Sequence, residues 1–328
     1  MVRMDTVREA LEGAERGGLM PSGSAILLAV SGGADSLALL YGAAELAPEL
    51  GWSLSVGHVQ HGWREREAER DLAFVRDHAR RLRLPFVFRR EDARGASRRL
   101  KLSPEAGARH VRYAALLAMA RERGAPLVAT AHQRDDVLES YLIGRERKAG
   151  IARLGGPRPF RADGVVRPLL DVGRRDILAF LAERGLSHRR DSSNGNLGLL
   201  RNRLRRDLAG GAAGRPEELA REARACREER DRLDREFRER IAPGMRRSDT
   251  ETVADAALLQ QTSPDLRRLA VENAALPFAL PGRPPMTGRE REQILRKIGS
   301  GSDFRFEAGR RIRFERRGST LRVRLAQR

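Results

Sequence analysis

Cysteine and lysine are nearly missing from this chain of 328 residues. The single cysteine, Cys226, excludes a disulfide framework and a metal cluster held by cysteine thiolates. Lysine occurs only as Lys101, Lys148 and Lys297, so arginine carries almost all of the positive charge. No apolar run approaches the roughly 20 residues that cross a bilayer, and the first residues lack the apolar core of a secretion signal. We therefore expect a cytoplasmic protein that does not enter membranes.

Acidic residues are too few to balance the arginines. The 64 basic residues exceed the 45 acidic ones and leave a formal net charge of +19. An excess of this size indicates a polyanionic partner, with nucleic acid as the first candidate and a merely basic surface as the alternative. The length suffices for more than one domain. We predict a first domain at residues 1–208, a glycine- and alanine-rich linker at 209–216 and a second region at 217–328.

The most informative stretch is an apolar run that ends in a glycine turn. Residues 26–30 are continuously apolar, as in a strand buried on both faces, and residues 37–46 have the composition of a helix. Two glycines followed by a helix N-terminus can surround a phosphate with N–H groups, although a tight turn without a ligand is the alternative. The loop lacks the lysine of a Walker loop, and its acid is suited to magnesium. The predicted nucleotide-binding residues are Ser31, Gly32, Gly33, Ala34, Asp35 and Ser36, with Asp35 as the metal ligand.

Strands and helices alternate on either side of this loop. Further strands are predicted at 52–59, 85–89 and 126–131, and the helices at 5–17, 64–82 and 104–123. This alternation predicts an α/β fold in which helices flank a parallel sheet. Ligands of such sheets bind beyond the carboxyl ends of the strands. Polar residues that follow strand ends are therefore candidates for one common site.

Two further strand ends carry such residues. His61 follows the second predicted strand, and His132 follows the fourth. Asp136 and Glu139 come next and share one helical face, because they are three residues apart. That face could be a solvated acidic edge, a magnesium site or a site for a substrate ammonium. The histidines fit no zinc-binding spacing.

Sequence motifs in a fixed order give a more specific indication. The first group is the glycine loop with Glu-Ala-x-x-Arg-x-x-Arg-Tyr at 105–113 and Ala-Thr-Ala-His-x-x-Asp-Asp-x-x-Glu at 129–139. Arg-Pro-Leu-Leu at 167–170 and Arg-Asn-x-x-Arg at 201–205 follow. Together these motifs cover about residues 24–208 and resemble the tRNA(Ile)-lysidine synthetases, which are N-type ATP pyrophosphatases of the PP-loop superfamily.

The resemblance implies a fold, a reaction and its partners. The fold would be Rossmann-like, of the adenine nucleotide alpha hydrolase type, followed by a helical region and a small β-containing C-terminal tail. The enzyme would use ATP and magnesium to adenylate the wobble cytidine of a tRNA(Ile) with a CAU anticodon. Free L-lysine would then displace AMP from carbon 2 and form lysidine. The sequence leaves the oligomeric state open, a homodimer included.

The same resemblance implies residue roles. Asp136 and Glu139 would receive the lysine amine, and His132 and Arg112 would lie near the reacting groups. His61 would lie beside the nucleotide. Two arginines of the last motif would close on phosphate or RNA, namely Arg201 and Arg205.

The chain also departs from the family pattern. Gln60 stands where the family usually has an aspartate, Gln133 stands where it often has a second histidine, and residues 144–156 carry more charge than usual. These departures concern substrate handling more than the ATP loop. A tRNA thiolase and a non-catalytic basic RNA-binding protein are the competing functions. The first normally needs several cysteines, and the second has no use for Asp35 or Glu139.

The second region is predicted from its charge pattern. Residues 217–241 read as a long charged helix, and 264–275 and 287–298 as two shorter ones. Near the end, apolar and basic residues alternate, which predicts strands with an arginine-rich face. We expect that face either to protect a sheet edge or to contact tRNA phosphates.

Overall fold

The computed structural model describes residues 5–60, 65–146, 150–189, 216–279, 285–309 and 311–326. The chain divides into two compact units, which we call the first unit (Met1–Arg147 and Gly155–Ala223) and the second unit (Lys148–Leu154 and Arg224–Arg328). Nearly all of the predicted linker lies outside the described residues, so the predicted domain boundary stays a prediction. None of the described helices is both long and apolar enough to span a bilayer.

The first unit is an α/β structure in which strands and helices alternate. Its elements in chain order are α1 (Thr6–Arg16), β1 (Ala25–Ala29), α2 (Ala34–Leu50), β2 (Ser53–Gln60), α3 (Glu65–Arg81), β3 (Phe86–Arg90), α4 (Ala93–Leu100), α5 (Pro104–Glu122), β4 (Leu127–Thr130) and α6 (Arg134–Glu146); α7 (Ile151–Leu154) belongs to the second unit, and β5 (Val165–Val166) and α8 (Arg174–Glu183) complete the first. The predicted α/β fold is confirmed.

The five strands form one parallel sheet in the order β3-β2-β1-β4-β5. The central strand β1 pairs with β2 on one side and with β4 on the other, and Ala29 lies opposite both Gly57 and Thr130. Because β1 carries helices on both faces, neither face can be polar. Leu28 packs with α1, α2 and α8, whereas Leu27 packs with Met119 of α5 on the opposite face. The continuous apolar run of residues 26–30 follows from this position.

The predicted strands of the first unit and its helices α1, α3 and α5 match the observed ones within one residue at their described ends. Helix α2 was predicted too short, at 37–46, and extends over Ala34–Leu50. Three elements of this unit escaped prediction, namely the short strand β5 and the helices α4 and α8. Helix α4 buries only Ala93, Gly95, Ala96 and Ser97, so it has no large apolar stripe that sequence periodicity could detect.

The second unit combines helices with an antiparallel sheet. Its later elements are α9 (Pro216–Glu236, within which the boundary between the units falls), a π-helical turn (Phe237–Ile241), β6 (Arg246–Arg247), β7 (Glu251–Asp255), α10 (Ala256–Gln261), α11 (Pro264–Ala275), α12 (Gly288–Gly299), β8 (Phe304–Ala308), β9 (Ile312–Arg317) and β10 (Thr320–Leu325). The strands are ordered β6-β7-β10-β9-β8. Phe314 and Val323 face a core that also contains Ile294 of α12. The predicted C-terminal strands are confirmed, and β6 and β7 extend them into a five-stranded sheet.

Candidate active site

The glycine loop joins β1 to α2 at the carboxyl edge of the first sheet. Gly32 has a φ of +93°, a conformation that favours glycine, and a Cβ there would lie 3.4 Å from side-chain atoms of Phe74 and Val75. Ser36 Oγ donates a hydrogen bond to Gly33 O at 2.9 Å and accepts one from Ser31 N at 3.2 Å. The loop therefore holds its own shape. The N-terminal end of α2, which carries a partial positive charge, follows this loop directly, and this is the setting on which the predicted anion site depends.

Asp35 lies in the first turn of α2 and forms an ion pair that sequence reasoning did not anticipate. Arg174 Nη1, from the first turn of α8, donates to Asp35 Oδ1 at 2.6 Å, and both side chains are partly exposed. The guanidinium fixes the carboxylate beside the loop. Among the described residues, no cluster of three or more histidine, cysteine or acidic side chains could hold a metal ion. A magnesium ion at this loop would therefore depend on Asp35 together with oxygens of the nucleotide.

The neighbouring strand β2 ends in two buried polar residues. His58 Nδ1 lies 2.8 Å from Val30 O, and because a carbonyl only accepts, this nitrogen carries the proton. Burial lowers the pKa of His58, so the ring is neutral at pH 7. Gln60 donates to Ala68 O at 2.7 Å and accepts from Arg90 Nε at 2.9 Å. Gln60 thus connects β2 to α3 and β3, and the predicted nucleotide neighbour His61 lies outside the described residues.

Strand β4, on the other side of β1, leads into the acidic helix α6. Thr130 Oγ1 lies 3.0 Å from His132 Nδ1, which fixes the orientation of this ring. Asp136 Oδ2 accepts from the N–H of Gln133 at 2.9 Å, so this carboxylate also stabilises the start of α6. Glu139 is only 2% exposed. A solvated acidic edge therefore does not describe this residue, since a buried carboxylate requires specific partners.

Helix α5 contributes an arginine cluster around one tyrosine. The guanidinium carbons of Arg109, Arg112 and Arg161 lie 5.0, 5.4 and 4.4 Å from the ring centre of Tyr113. Arg167 Nη2 donates to the Tyr113 hydroxyl at 3.2 Å. Burial raises the pKa of Tyr113, but the arginine charges lower it by more, and the net pKa lies below its ordinary value. Of these arginines, the sequence analysis assigned a role only to Arg112. Arg167 joins the cluster through its contact with Tyr113, which lies 54 positions away in the chain.

The sheet order brings most of the predicted site residues to one edge. The glycine loop follows β1, and His132, Asp136 and Glu139 follow β4, its direct neighbour. Arg112 lies in the first half of α5, which begins at the same edge because it runs back antiparallel to the strands. Arg189 was not predicted; its N–H donates to Gly32 O at 3.0 Å, and its side chain pairs with Asp71 at 2.8 Å. The RNA-contacting candidates Arg201 and Arg205 lie outside the described residues.

Comparison with known families identifies the class of this protein. The sequence profile of the PP-loop domain matches residues 7–211, which is more than half of the chain. The chain belongs to the PP-loop family. The family match agrees with the glycine loop and its strand–helix setting, and the domain is one that uses ATP.

Individual relatives are more specific. The chain is 38% identical over 199 residues to a tRNA(Ile)-lysidine synthase of Dehalococcoides mccartyi, covering 58% of this chain and 42% of that protein. It is 41% identical over 192 residues to the enzyme of that name from Geobacter sulfurreducens, covering 58% and 41%. It is 38% identical over 200 residues to the enzyme of that name from Chlorobaculum tepidum, and the match covers 61% of this chain and 60% of that protein. The chain thus spans about two fifths to three fifths of the length of these relatives.

A solved structure shares the fold. The U34-tRNA thiolase of Methanococcus maripaludis, determined with its 4Fe-4S cluster, superposes with a TM-score of 0.53 at 14% identity, covering 68% of this chain and 78% of that one. At this identity the likeness concerns the fold alone.

Proposed function

We propose that this protein ligates free L-lysine to carbon 2 of the wobble cytidine of tRNA(Ile) with a CAU anticodon. The observation that carries the proposal is the pairing of two features on adjacent strands. A glycine loop at a helix N-terminus follows β1, and a helix with Asp136 and the buried Glu139 follows β4. Relatives named for this activity, at 38–41% identity, support it. A cytoplasmic location is part of the proposal.

The glycine loop would serve the first chemical step. The cytosine O2 attacks the α-phosphorus of ATP, and the bond from that phosphorus to pyrophosphate breaks. N–H groups of the loop and the hydroxyls of Ser31 and Ser36 would hold the leaving pyrophosphate. Asp35 fits magnesium because it is a partly exposed carboxylate beside this loop. Magnesium, when bound, would neutralise phosphate charge. Arg112 and His132 would stabilise charge at the reacting oxygens.

The acidic helix α6 would serve the second step. Lysine enters as an ammonium ion, and a carboxylate pair at this edge of the sheet can bind it. The ammonium must lose a proton before its nitrogen can attack carbon 2, and a carboxylate can accept that proton. The new carbon–nitrogen bond replaces the bond from carbon 2 to oxygen, and AMP leaves. Asp136 and Glu139 are the proposed residues for binding and proton transfer.

A direct experiment is nucleoside mass spectrometry. Unmodified tRNA(Ile) with a CAU anticodon is incubated with the chain, ATP, magnesium and lysine, then digested. The expected product is cytidine carrying the mass of lysine minus water, formed only when ATP and lysine are both present. Omission of lysine should leave pyrophosphate release intact. A sulfur-containing nucleoside, or no new nucleoside, would contradict the proposal.

Thiolation is the second candidate and has weaker support. The shared fold with a tRNA thiolase favours it. The chain, however, contains one cysteine, and a cluster held by cysteine thiolates needs several. Cys226 moreover belongs to the second unit.

A further inference from the structure

Helix α4 has an unusual division of its two faces. Its buried side, which packs against the rest of the first unit, consists of Ala93, Gly95, Ala96 and Ser97. The exposed side chains are all basic and comprise Arg94, Arg98, Arg99 and, directly after the helix, Lys101. We call these four residues the α4 basic face. No sequence motif discussed above includes them.

The small buried residues let α4 lie very close to α5. A Cβ on Gly107 of α5 would approach Ser97 Oγ to 1.9 Å and the Ser97 Cα to 2.9 Å, so only glycine fits at this crossing. Asp92 caps the helix by accepting from Gly95 N at 2.8 Å. Lys101 ends it in the left-handed conformation, with a φ of 52°. Helix α4 is thus packed tightly against α5, which holds its basic side chains in a fixed position on the surface.

The position of α4 relates it to the glycine loop. The helix begins three residues after β3 ends, so it starts at the carboxyl edge of the sheet. In the sheet order, β3 is two strands from β1, which corresponds to about 10 Å. Helix α5 begins at the same edge and adds the exposed Arg109. Cations of two helices therefore flank the edge at which the nucleotide loop lies.

Two cations of this face have no acidic partner in the described part of the chain. Neither Arg98 nor Arg99 forms an ion pair there, whereas Arg89 and Arg90 of the preceding strand pair with Glu122 and Glu69 at 2.6 and 2.7 Å. Arg94 and Arg98 are also four residues apart, so like charges repel along the helix. A face built only for solvation would gain from acids at these positions. The two unpaired guanidinium groups, those of Arg98 and Arg99, are therefore suited to an external polyanion.

We propose that the α4 basic face contacts the phosphate backbone of the RNA whose base reaches the glycine loop. This inference rests on the proposed function, which makes a tRNA the substrate. Phosphates flanking the target nucleotide would replace the missing acidic partners of Arg98 and Arg99. Guanidinium groups bind phosphate through paired hydrogen bonds, which suits an arginine face. The contact positions the RNA without reading its sequence.

The test compares two pairs of arginines on neighbouring helices. One variant carries R98Q and R99Q. The matched control carries R121Q and R123Q, which remove two exposed charges at the other end of α5, beside the opposite edge of the sheet. Binding of unmodified tRNA is measured across a salt series by fluorescence anisotropy. The R98Q/R99Q variant should lower the slope of log affinity against log salt by about 0.7–0.9 for each lost phosphate contact. The R121Q/R123Q slope should equal that of the original protein.

Each outcome decides the inference. An unchanged slope for R98Q/R99Q overturns it, as does an equal loss in the control pair or a failure of the original chain to bind tRNA at all. A third variant, R322Q/R324Q on β10, tests the competing location in the second unit, and a lower slope for this variant alone overturns the inference. Circular dichroism checks that all variants fold. Lysidine formation is not the readout, so a chain that binds RNA through α4 yet makes no lysidine would refute only the proposed function.

Discussion

The α4 basic face of the first unit and the antiparallel sheet of the second unit differ in how their arginines are paired. In the second unit, Arg313 pairs with Glu307 at 2.8 Å, Arg322 with Glu251 at 3.2 Å, and Arg324 with Glu315 at 3.5 Å. These pairs join neighbouring strands of the antiparallel sheet, where opposite charges stabilise each other. In the first unit, the α4 basic face retains two arginines without such a partner among the described residues. A basic composition therefore does not by itself locate a polyanion site, since many of its charges are used within the fold.

The units differ in their chemical groups as well. All six histidines of the sequence precede residue 190, and the candidate residues Asp35, Asp136 and Glu139 lie in the first unit. Parallel strands bring these groups to one edge, whereas the second sheet is stabilised by cross-strand pairs. We therefore expect chemistry to depend on the first unit. Substitutions at matched residues of the two units test this difference.

The largest effect is expected for Asp35→Ala. Loss of the carboxylate removes the candidate magnesium ligand and leaves Arg174 without its partner at 2.6 Å. Pyrophosphate release from ATP in the presence of tRNA should fall about 10²–10³-fold, the usual cost of removing a group that stabilises transition-state charge. The matched variant in the second unit is Asp303→Ala, whose carboxylate accepts from Gly318 N at 2.7 Å. It should release pyrophosphate normally, and comparable activity of the two variants would remove Asp35 from the mechanism.

A smaller and more selective effect is expected for Glu139→Gln. The substitution keeps the shape of this 2% exposed side chain but removes its negative charge. The KM for lysine should rise about tenfold, as expected when a charged hydrogen bond to a substrate is lost. Pyrophosphate release without lysine should not change. The control is Glu146→Gln at the exposed end of the same helix. Equal lysine dependence of the two variants would show that lysine binds elsewhere.

Acid should destabilise the first unit more than the second. Burial lowers the pKa of His58, so below about pH 6.5 the unfolded chain binds a proton that the folded chain resists. The free energy of unfolding of the first unit should therefore fall as the pH is lowered from about 7 to 5.5. The second unit contains no histidine. Hydrogen exchange measured for each unit at the two pH values tests this contrast.

A variant identifies the group responsible for that acid sensitivity. In His58→Asn, the side-chain amide can still donate to Val30 O but does not titrate. The decline of first-unit stability with falling pH should be shallower in this variant. His78, whose pKa burial also lowers, retains part of the effect. An identical pH profile for the variant and the original chain would exclude His58 as a contributor.

The sequence predicted the parts of the first unit that depend on local pattern. The strand before the glycine loop and helix α5 are examples, because a continuous apolar run or a Ser-Pro start is visible locally. Long-range pairs could not be predicted. Arg174 meets Asp35 across 139 positions, and only the folded sheet brings them together. Helix α4 was missed because close approach at Gly107, rather than apolar bulk, holds it in place.

The smallest effect is expected for Cys226→Ser, and its smallness separates the two candidate chemistries. The fold is shared with a thiolase that contains an iron–sulfur cluster. Cys226 is the only cysteine of the chain and is half-buried on α9 in the second unit. One thiol can neither hold such a cluster nor complete a persulfide relay by itself. Lysine ligation needs no sulfur, so the serine variant should form lysidine within about twofold of the original rate, the range expected of a substitution away from the chemistry. A folded but inactive serine variant would mean that sulfur takes part in the reaction, and the assignment of the nucleophile to lysine would then be wrong.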